Sequence, residues 1–377
     1  MSLLSVFGLS ALLHLYLGLR LVPALAGPPA TALVLLLVAS ALLTPLGLLA
    51  RRLVRPPGSD QLAGVGLLFM GLFSSLLVFT LLRDAVLLLA SGAALVFAGH
   101  FDAGLAAPSA AAVPLLALGA TLVGWVNARR TAGVVRVDVA IAGLPPALAG
   151  FTIAQISDIH VGPTIKGGYL QDIVDAVNRL KPDLVAVTGD LVDGSVAELR
   201  PHVAPLAGLL SPFGSFFVTG NHEYYSGALA WIAELRRLGL TVLVDQHVVL
   251  ERGGARLVLA GVADFNARQF EPTHRSDPVA ALAGAPDAVR VLLAHQPRSA
   301  AAAVAAGFDL QLSGHTHGGQ FLPWNFFVRL QQPYTAGLHR LGRMWVYVSR
   351  GTGYWGPPKR LGAPSEITLL RLVPAQP

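Results

Sequence analysis

The chain has 377 residues, 54% hydrophobic and only 13% charged, with a mean hydropathy of +0.61; an ordinary soluble domain carries about twice that charged fraction. Cysteine is absent, which excludes disulfides, a thiolate nucleophile and a thiolate zinc site. The formal charge of +6 comes from scattered residues with no Lys/Arg-rich run, so nucleic-acid binding is not expected, while attraction to anionic lipid head groups suits the same balance.

The shortage of charge is local. Residues 1–127 carry only Arg20, Arg51, Arg52, Arg55, Asp60, Arg83, Asp84 and Asp102 as charged side chains, with no Lys and no Glu. Apolar runs at residues 3–25, 30–50 and 65–82 approach the roughly 20 residues that cross a bilayer. Residues 110–127, rich in Ala and Gly, form a fourth and weaker candidate suited to close helix packing in lipid. Residues 85–98 are apolar but only about 14 long, which reads as a continuation of the third run or a membrane-surface segment. A cleaved signal peptide is not expected, because Met1-Ser2-Leu3-Leu4 offers no positive n-region and further spanning runs come after it.

Arg51, Arg52 and Arg55 mark the loop after the second run as cytoplasmic, and Arg129-Arg130 mark the exit of the last one likewise. Four spans satisfy both marks; a fifth at 85–98 would put the C-terminal region on the opposite side. Two domains are therefore expected. Residues 1–130 form a transmembrane helical region, integral to the cell membrane and multi-pass. Residues 131–377 form a catalytic region facing the cytoplasm, large enough for its own core.

From Arg129 onward the composition is that of a soluble domain. Residues 134–141 alternate as a half-exposed strand. Residues 151–156 form a more buried strand that leads into Asp158-Ile159-His160, whose two polar side chains lie two residues apart and share a side. Leu170, Ile173, Val174, Val177 and Leu180 make one stripe of an amphipathic helix. Residues 184–187 then lead into Gly189-Asp190-Leu191-Val192-Asp193, and residues 216–218 into Gly220-Asn221-His222-Glu223. A helix comes next around Trp231, Ile232, Leu235 and Leu238. Residues 240–260 read as a hairpin, with 242–244 and 256–259 as its arms. Residues 289–293 lead into Ala294-His295, residues 299–306 are an ordinary helix former, and residues 309–312 lead into Gly314-His315-Thr316-His317. Strands alternating with helices predict a layered α/β fold with stacked mixed sheets flanked by helices. Polar residues at the carboxyl ends of strands are where such folds bind ligands. Carboxylate, imidazole and amide oxygen together are a ligand set for divalent metals in phosphate-ester hydrolysis.

In these motifs, D-x-H, G-D-x-x-D, G-N-H-[ED], an isolated His and G-H-x-H, the chain resembles the calcineurin-like metallophosphoesterase superfamily over about residues 134–370. Two longer stretches, Leu312-Ser313-Gly314-His315-Thr316-His317-Gly318-Gly319-Gln320 and Ser349-Arg350-Gly351-Thr352-Gly353-Tyr354-Trp355-Gly356-Pro357-Pro358 continuing to Arg360-Leu361-Gly362-Ala363-Pro364-Ser365-Glu366, look like its membrane-associated bacterial branch with N-terminal spans. Some members of that branch act on phosphate-linked lipids. The resemblance implies an αββα sandwich and two divalent ions, Mn, Fe or Zn. It implies Asp158, His160 and His317 as ligands of the first, Asn221, His295 and His315 of the second, and Asp190 bridging both. His222 is then the expected acid or transition-state partner, and Asp193 either orients a ligand or supports the loop.

Tyr224 and Tyr225 are candidates to line the substrate cleft, against the alternative that they close a loop. Arg350, Trp355 and Arg360 are candidates to touch a phosphate or head group, against a rigid turn; Asp264 is equally open. His14, His100, His202, His247, His274 and His339 read as structural or solvated. The leading expectation is a membrane-anchored phosphoesterase acting on a phosphodiester or pyrophosphate bond of a lipid-like substrate, such as a UDP-diacylated sugar or a glycerophospholipid. The alternatives are an anchored phosphodiesterase of a soluble substrate such as a cyclic nucleotide, and a membrane scaffold with a vestigial metal site.

Overall fold

The structure is a computed structural model that describes residues 3–97 and 104–375; His100 and Ala98 lie outside them. The chain divides into two compact units, Met1–Arg129 with Gly356–Leu361, and Arg130–Trp355 with Gly362–Pro377.

Among the described residues, the first unit holds four helices long and apolar enough to cross a membrane: α1 (Leu3–Leu21), α2 (Pro28–Leu48), α3 (Gly58–Phe97) and α4 (Ala106–Arg129). Residues 85–97 continue the third helix, which runs for 40 residues without a break, about twice the length a bilayer core requires. Leu17, Leu33, Leu72, Leu76 and Val113 pack together, while much of the remaining apolar surface faces outward, as helices in lipid do. Helices α2 and α3 meet at Gly47 and Gly66, where a Cβ on either residue would run into the other's backbone. Three of the few charges, Arg20, Arg83 and Asp84, have partners within the unit. Asp84 accepts from Arg20 Nε at 2.8 Å and from the Tyr16 hydroxyl at 2.8 Å. Arg83 donates to the Arg20 carbonyl at 3.1 Å and to Ser109 Oγ at 3.0 Å.

The second unit contains twelve strands: β1 (Gly133–Ile141), β2 (Thr152–Ile156), β3 (Leu184–Val187), β4 (Ser215–Phe217), β5 (Thr241–Val242), β6 (Gln246–Arg252), β7 (Ala255–Gly261), β8 (Val289–Leu293), β9 (Leu310–Ser313), β10 (Gly337–Leu341), β11 (Met344–Val348) and β12 (Glu366–Pro374). They form two mixed six-stranded sheets, ordered β1-β12-β2-β3-β4-β5 and β10-β11-β9-β8-β7-β6. Strands β2 to β5 run parallel, as do β7, β8, β9 and β11. Such pairs need long crossovers, supplied in the first sheet by the helices Gly167–Leu180, Val196–Val203 and Ala228–Arg237.

The sheets stack through one core. Ile153, Leu184, Phe216, Val139 and Leu370 of the first meet Leu257, Leu259, Val291, Leu293, Leu312 and Tyr347 of the second. A second core, with Leu292, Val346, Val348 and Phe308, packs the other face of the second sheet against the helix Ala300–Ala306.

The hairpin at residues 240–260 needs one correction. Its arms are β6 and β7, paired from Gln246↔Gly261 to Arg252↔Ala255, and residues 242–244 are not one of them. Val242 instead pairs in parallel with Phe217 in the other sheet. Buried Val242 and Leu243 satisfy an apolar sheet edge, and Asp245, at φ 51, turns the chain away before the hairpin begins.

Candidate metal centre

Five strands bring their carboxyl ends to one place. From the first sheet, β2 leads to Asp158 and His160, β3 to Asp190 and Asp193, and β4 to Asn221 and His222; from the second, β8 leads to His295 and β9 to His315 and His317. The two sheets are pinned together there. Gln155 Nε2 donates to the Ser313 carbonyl at 2.9 Å, and the His315 amide donates to Asp158 Oδ1 and Oδ2 at 2.9 and 3.0 Å. Gly314 permits this approach, because a Cβ on it would collide with Ser157 Oγ and Asp158 Oδ2.

Asp158, His160, Asp190, His315 and His317 all hold left-handed backbone conformations, with φ between 51 and 72. Each such residue costs on the order of 1–3 kcal/mol and persists only where its surroundings over-determine it, which happens chiefly at functional sites.

The ligand atoms of Asp158, His160 and His317 lie within 4.8 Å of one another, as do those of Asp190, His295 and His315. Asp190 stands between the two groups: its Oδ2 is 3.2 Å from His295 Nε2 and 3.9 Å from His160 Nε2. His160 Nδ1 bonds Asp193 Oδ1 at 3.1 Å, and His295 Nδ1 donates to the Thr188 carbonyl at 2.7 Å. When such a ring ligates a cation, that bond holds the Nδ1 proton and leaves the Nε2 lone pair facing inward. The inward neighbours are themselves electron-rich: His317 Nε2 is 3.0 Å from His160 Nε2, and His315 Nδ1 is 3.2 Å from His295 Nε2. In the cation-free protein, where the buried carboxylates around His295 raise it well above its ordinary value, burial and then the His295 charge lower His315 to about 3, which keeps it a lone-pair donor. Asn221 Oδ1 is buried with no hydrogen-bond partner among the described residues, which leaves a costly unsatisfied acceptor. Converging lone pairs, buried carboxylates and an orphaned amide oxygen all fit bound cations. Side chains whose far atoms bond carboxylate or carbonyl are how proteins hold metal-ligating histidines in place.

Two groups complete the surroundings. Asp193 Oδ1 also bonds His222 Nδ1 at 2.6 Å. Burial alone would lower His222, but this bond and the charges of Asp190 and Asp193 outweigh it and raise the imidazole to about 9; positive charge bound nearby opposes that rise. Glu223, to which the sequence assigned no role, is fully buried and accepts the amides of Gly220 at 2.6 Å, Asp190 at 3.0 Å and Leu191 at 2.8 Å. It clamps the β3 and β4 loops to each other. Its position, three residues into a helix whose cap is Gly220, is the signal that points to a backbone-binding carboxylate.

The remaining candidates separate. The Tyr225 and Trp355 rings lie 5.3 and 5.7 Å from the His222 ring. Tyr224 is buried, and its hydroxyl pairs with His274 Nδ1 at 2.6 Å, away from the ligand clusters. Arg350 Nε donates to Glu366 Oε2 at 2.6 Å, so a carboxylate already faces its guanidinium. Arg360 belongs with the helical unit. Asp264 is buried and accepts from Gln296 Nε2 at 2.9 Å, next to His295 in sequence.

Asp193→Asn is expected to bring His222 in the cation-free protein from about 9 down toward the ordinary value of 6.5, because the largest raising influence is removed. Histidine NMR titration reads this, and an unchanged midpoint would contradict the role given to Asp193. Stability shifts with pH in the matching sense. His222 binds its proton more tightly folded than unfolded, so its contribution is complete below about pH 6.5 and is lost as pH rises through about 9.

Buried clusters of Asp and His at the strand ends of a two-sheet sandwich make a candidate site of the metallophosphoesterase type. A model of the calcineurin-like phosphoesterase family matches residues 151–319. Transmembrane proteins with a metallophosphoesterase domain from Bos taurus and Danio rerio are 42% and 40% identical over 264 and 254 residues, 67% and 65% of this chain and 60% and 58% of their own. An uncharacterized metallophosphoesterase of Aquifex aeolicus is 34% identical over 223 residues, 58% of this chain and 84% of its own. The chain belongs to the calcineurin-like metallophosphoesterase family, whose members use a pair of divalent metal ions. It spans about three fifths of the length of the two animal relatives.

Proposed function

We propose that the chain is a membrane-anchored dinuclear-metal phosphoesterase that hydrolyses a phosphodiester or pyrophosphate bond in a lipid-linked substrate. The observation that carries this reading is the pair of three-ligand clusters meeting at Asp190. In it, Asp158, His160 and His317 hold one ion, Asn221, His295 and His315 hold the other, and Asp190 serves both. Such a pair supplies Lewis acidity toward phosphoryl oxygens and a nucleophilic water at neutral pH.

The chain's own groups do the rest. Asp193 accepts a hydrogen bond from His160 Nδ1 and so fixes the orientation of that ring. The same carboxylate favours a protonated His222, ready to donate from Nε2 to the leaving oxygen. Tyr225 and Trp355 flank that ring. Every proposed ligand lies between Asp158 and His317, so catalysis resides in residues 131–377, and the helices of residues 1–130 are the anchor. Arg51, Arg52, Arg55, Arg129 and Arg130 favour a cytoplasmic catalytic domain.

Tethering raises the encounter rate with a substrate that itself resides in the membrane, which is why four helices able to cross a bilayer favour a lipid-linked ester. The test is the purified chain with Mn²⁺ on bis-p-nitrophenyl phosphate, p-nitrophenyl phosphate, and a panel of lipid pyrophosphates and phospholipids. Turnover of the lipid esters above the soluble diesters is the expected result. Turnover confined to soluble nucleotide diesters would favour an anchored soluble-substrate phosphodiesterase.

His222→Ala is expected to retain both ions per chain and lose a factor of about 10² to 10⁴ in rate, the usual worth of a positioned acid. Loss of one metal equivalent on mass spectrometry would make His222 a ligand and overturn its assignment as the acid.

A further inference from the structure

Beyond the site, one segment of the catalytic unit concentrates exposed apolar side chains. Directly after His317-Gly318-Gly319-Gln320, residues 321–331 fold as two short turns, Trp324–Phe326 and Val328–Leu330. They present Leu322, Trp324, Phe326, Phe327 and Leu330 to solvent at 48, 40, 71, 52 and 80% exposure. Isolated exposed apolar side chains are ordinary; five large ones within nine residues mark an interaction surface. Trp324 and Phe327 already touch, with ring centroids 5.8 Å apart, and the exposed Arg329 lies among them.

Charge chooses the occupant. No Asp or Glu occurs between Asp309 and Glu366, and the exposed cations of that stretch in the catalytic unit are Arg329, Arg340 and Arg343. Trp and Phe with arginine and no carboxylate is the composition that settles at the boundary between head groups and acyl chains, where apolar rings are buried and guanidinium meets lipid phosphate. The loop is also held in shape and joined to the site. The Gln320 side chain exchanges two 2.8 Å bonds with the backbone of Trp355, whose ring flanks His222.

We infer that residues 321–331 form an interfacial membrane-contact loop, through which the catalytic unit itself inserts Trp324, Phe326, Phe327 and Leu330 into an anionic bilayer surface beside the active site. The inference rests on the membrane residence proposed above but not on the identity of the substrate, since it concerns lipid contact and not hydrolysis.

The chain has no cysteine, so single labels can be introduced into the full-length protein. Phe326→Cys, Leu330→Cys and, as an exposed reference elsewhere on the unit, Asp287→Cys would each carry an environment-sensitive fluorophore. The probes are read in liposomes of zwitterionic and anionic phospholipid with iodide equilibrated on both sides. At 326 and 330 the expected result is blue-shifted emission, strong quenching by doxyl-labelled lipid, and several-fold less iodide quenching than at 287. Iodide quenching equal to that at 287 would overturn the inference while leaving the anchor intact. Protection from both iodide and doxyl lipid would mean a protein occupant, such as a second copy of the chain, and would overturn it as well. Failure of the chain to float with liposomes would overturn the anchoring reading and this inference together.

Discussion

Asp190→Asn is expected to reduce hydrolysis by about 10³-fold or more and to deplete both divalent ions together, since several kcal/mol of transition-state charge stabilisation depend on the pair. The reason is position. Asp190 Oδ2 lies 3.2 Å from His295 Nε2 and 3.9 Å from His160 Nε2, one from each ligand cluster. Burial disfavours its charge, but the charge and hydrogen bond of His295 outweigh burial and hold the carboxyl well below its ordinary value. Asparagine removes that charge and keeps an oxygen for the His222 amide, which Asp190 Oδ1 now accepts at 2.9 Å, so the loop retains its shape. His295→Ala removes a ligand from one cluster only and is expected to abolish turnover while leaving about one ion per chain. Turnover and metal content measured on the same samples decide the matter: a metal-depleted Asp190→Asn protein with normal turnover would end the two-metal reading.

Removing residues 1–127 is expected to leave a folded catalytic unit that still cleaves a small chromogenic diester, because both sheet cores are built from residues 139–372. Its activity on a lipid ester in bilayers is expected to fall much further, since the tether is lost. Equal loss on both substrates, or loss on neither, would favour the soluble-substrate reading. One segment is expected to change. Gly356–Leu361 groups with the helices: Lys359 Nζ donates to the Gly71 carbonyl at 3.1 Å and to Ser75 Oγ, the Arg360 amide donates to the Gly124 carbonyl at 2.8 Å, and Asn127 Nδ2 donates to the Arg360 carbonyl at 3.2 Å. All these partners leave with the deletion. Limited proteolysis should therefore cut at Lys359 or Arg360 in the truncated protein and spare them in the full chain, where both side chains are buried.

Much of this molecule was legible in the order of its residues. A strand is a local object, and an apolar run ending in a polar pair, such as residues 184–187 before Gly189 and Asp190, shows both the strand and which end carries the chemistry. The long apolar helices were legible for a similar reason: a bilayer imposes a length and a composition on each helix separately. Asp193 could be assigned a supporting part because carboxylates so often stand behind metal-ligating imidazoles. Tyr224 and Tyr225 show the limit. Adjacent and chemically alike, they differ only in the direction each side chain leaves a one-turn helix, which sends Tyr224 to His274 and Tyr225 to His222.

What the sequence determined by itself was therefore whatever depends on neighbours along the chain: the apolar helices, the strand periodicity, the ligand runs and their order. Only the tertiary structure decided the contacts that close over long separations. It slots β12 between β1 and β2, so that Glu366 can take Arg350 and the Tyr347 hydroxyl at 2.7 Å. It moves Val242 out of the hairpin and into the other sheet, turns Glu223 into a clamp on three amides, and assigns Gly356–Leu361 to the helices. Each of these is settled by burial and by the need of every enclosed polar group for a partner, and which partner lies within reach is a property of the packed chain that no local pattern encodes.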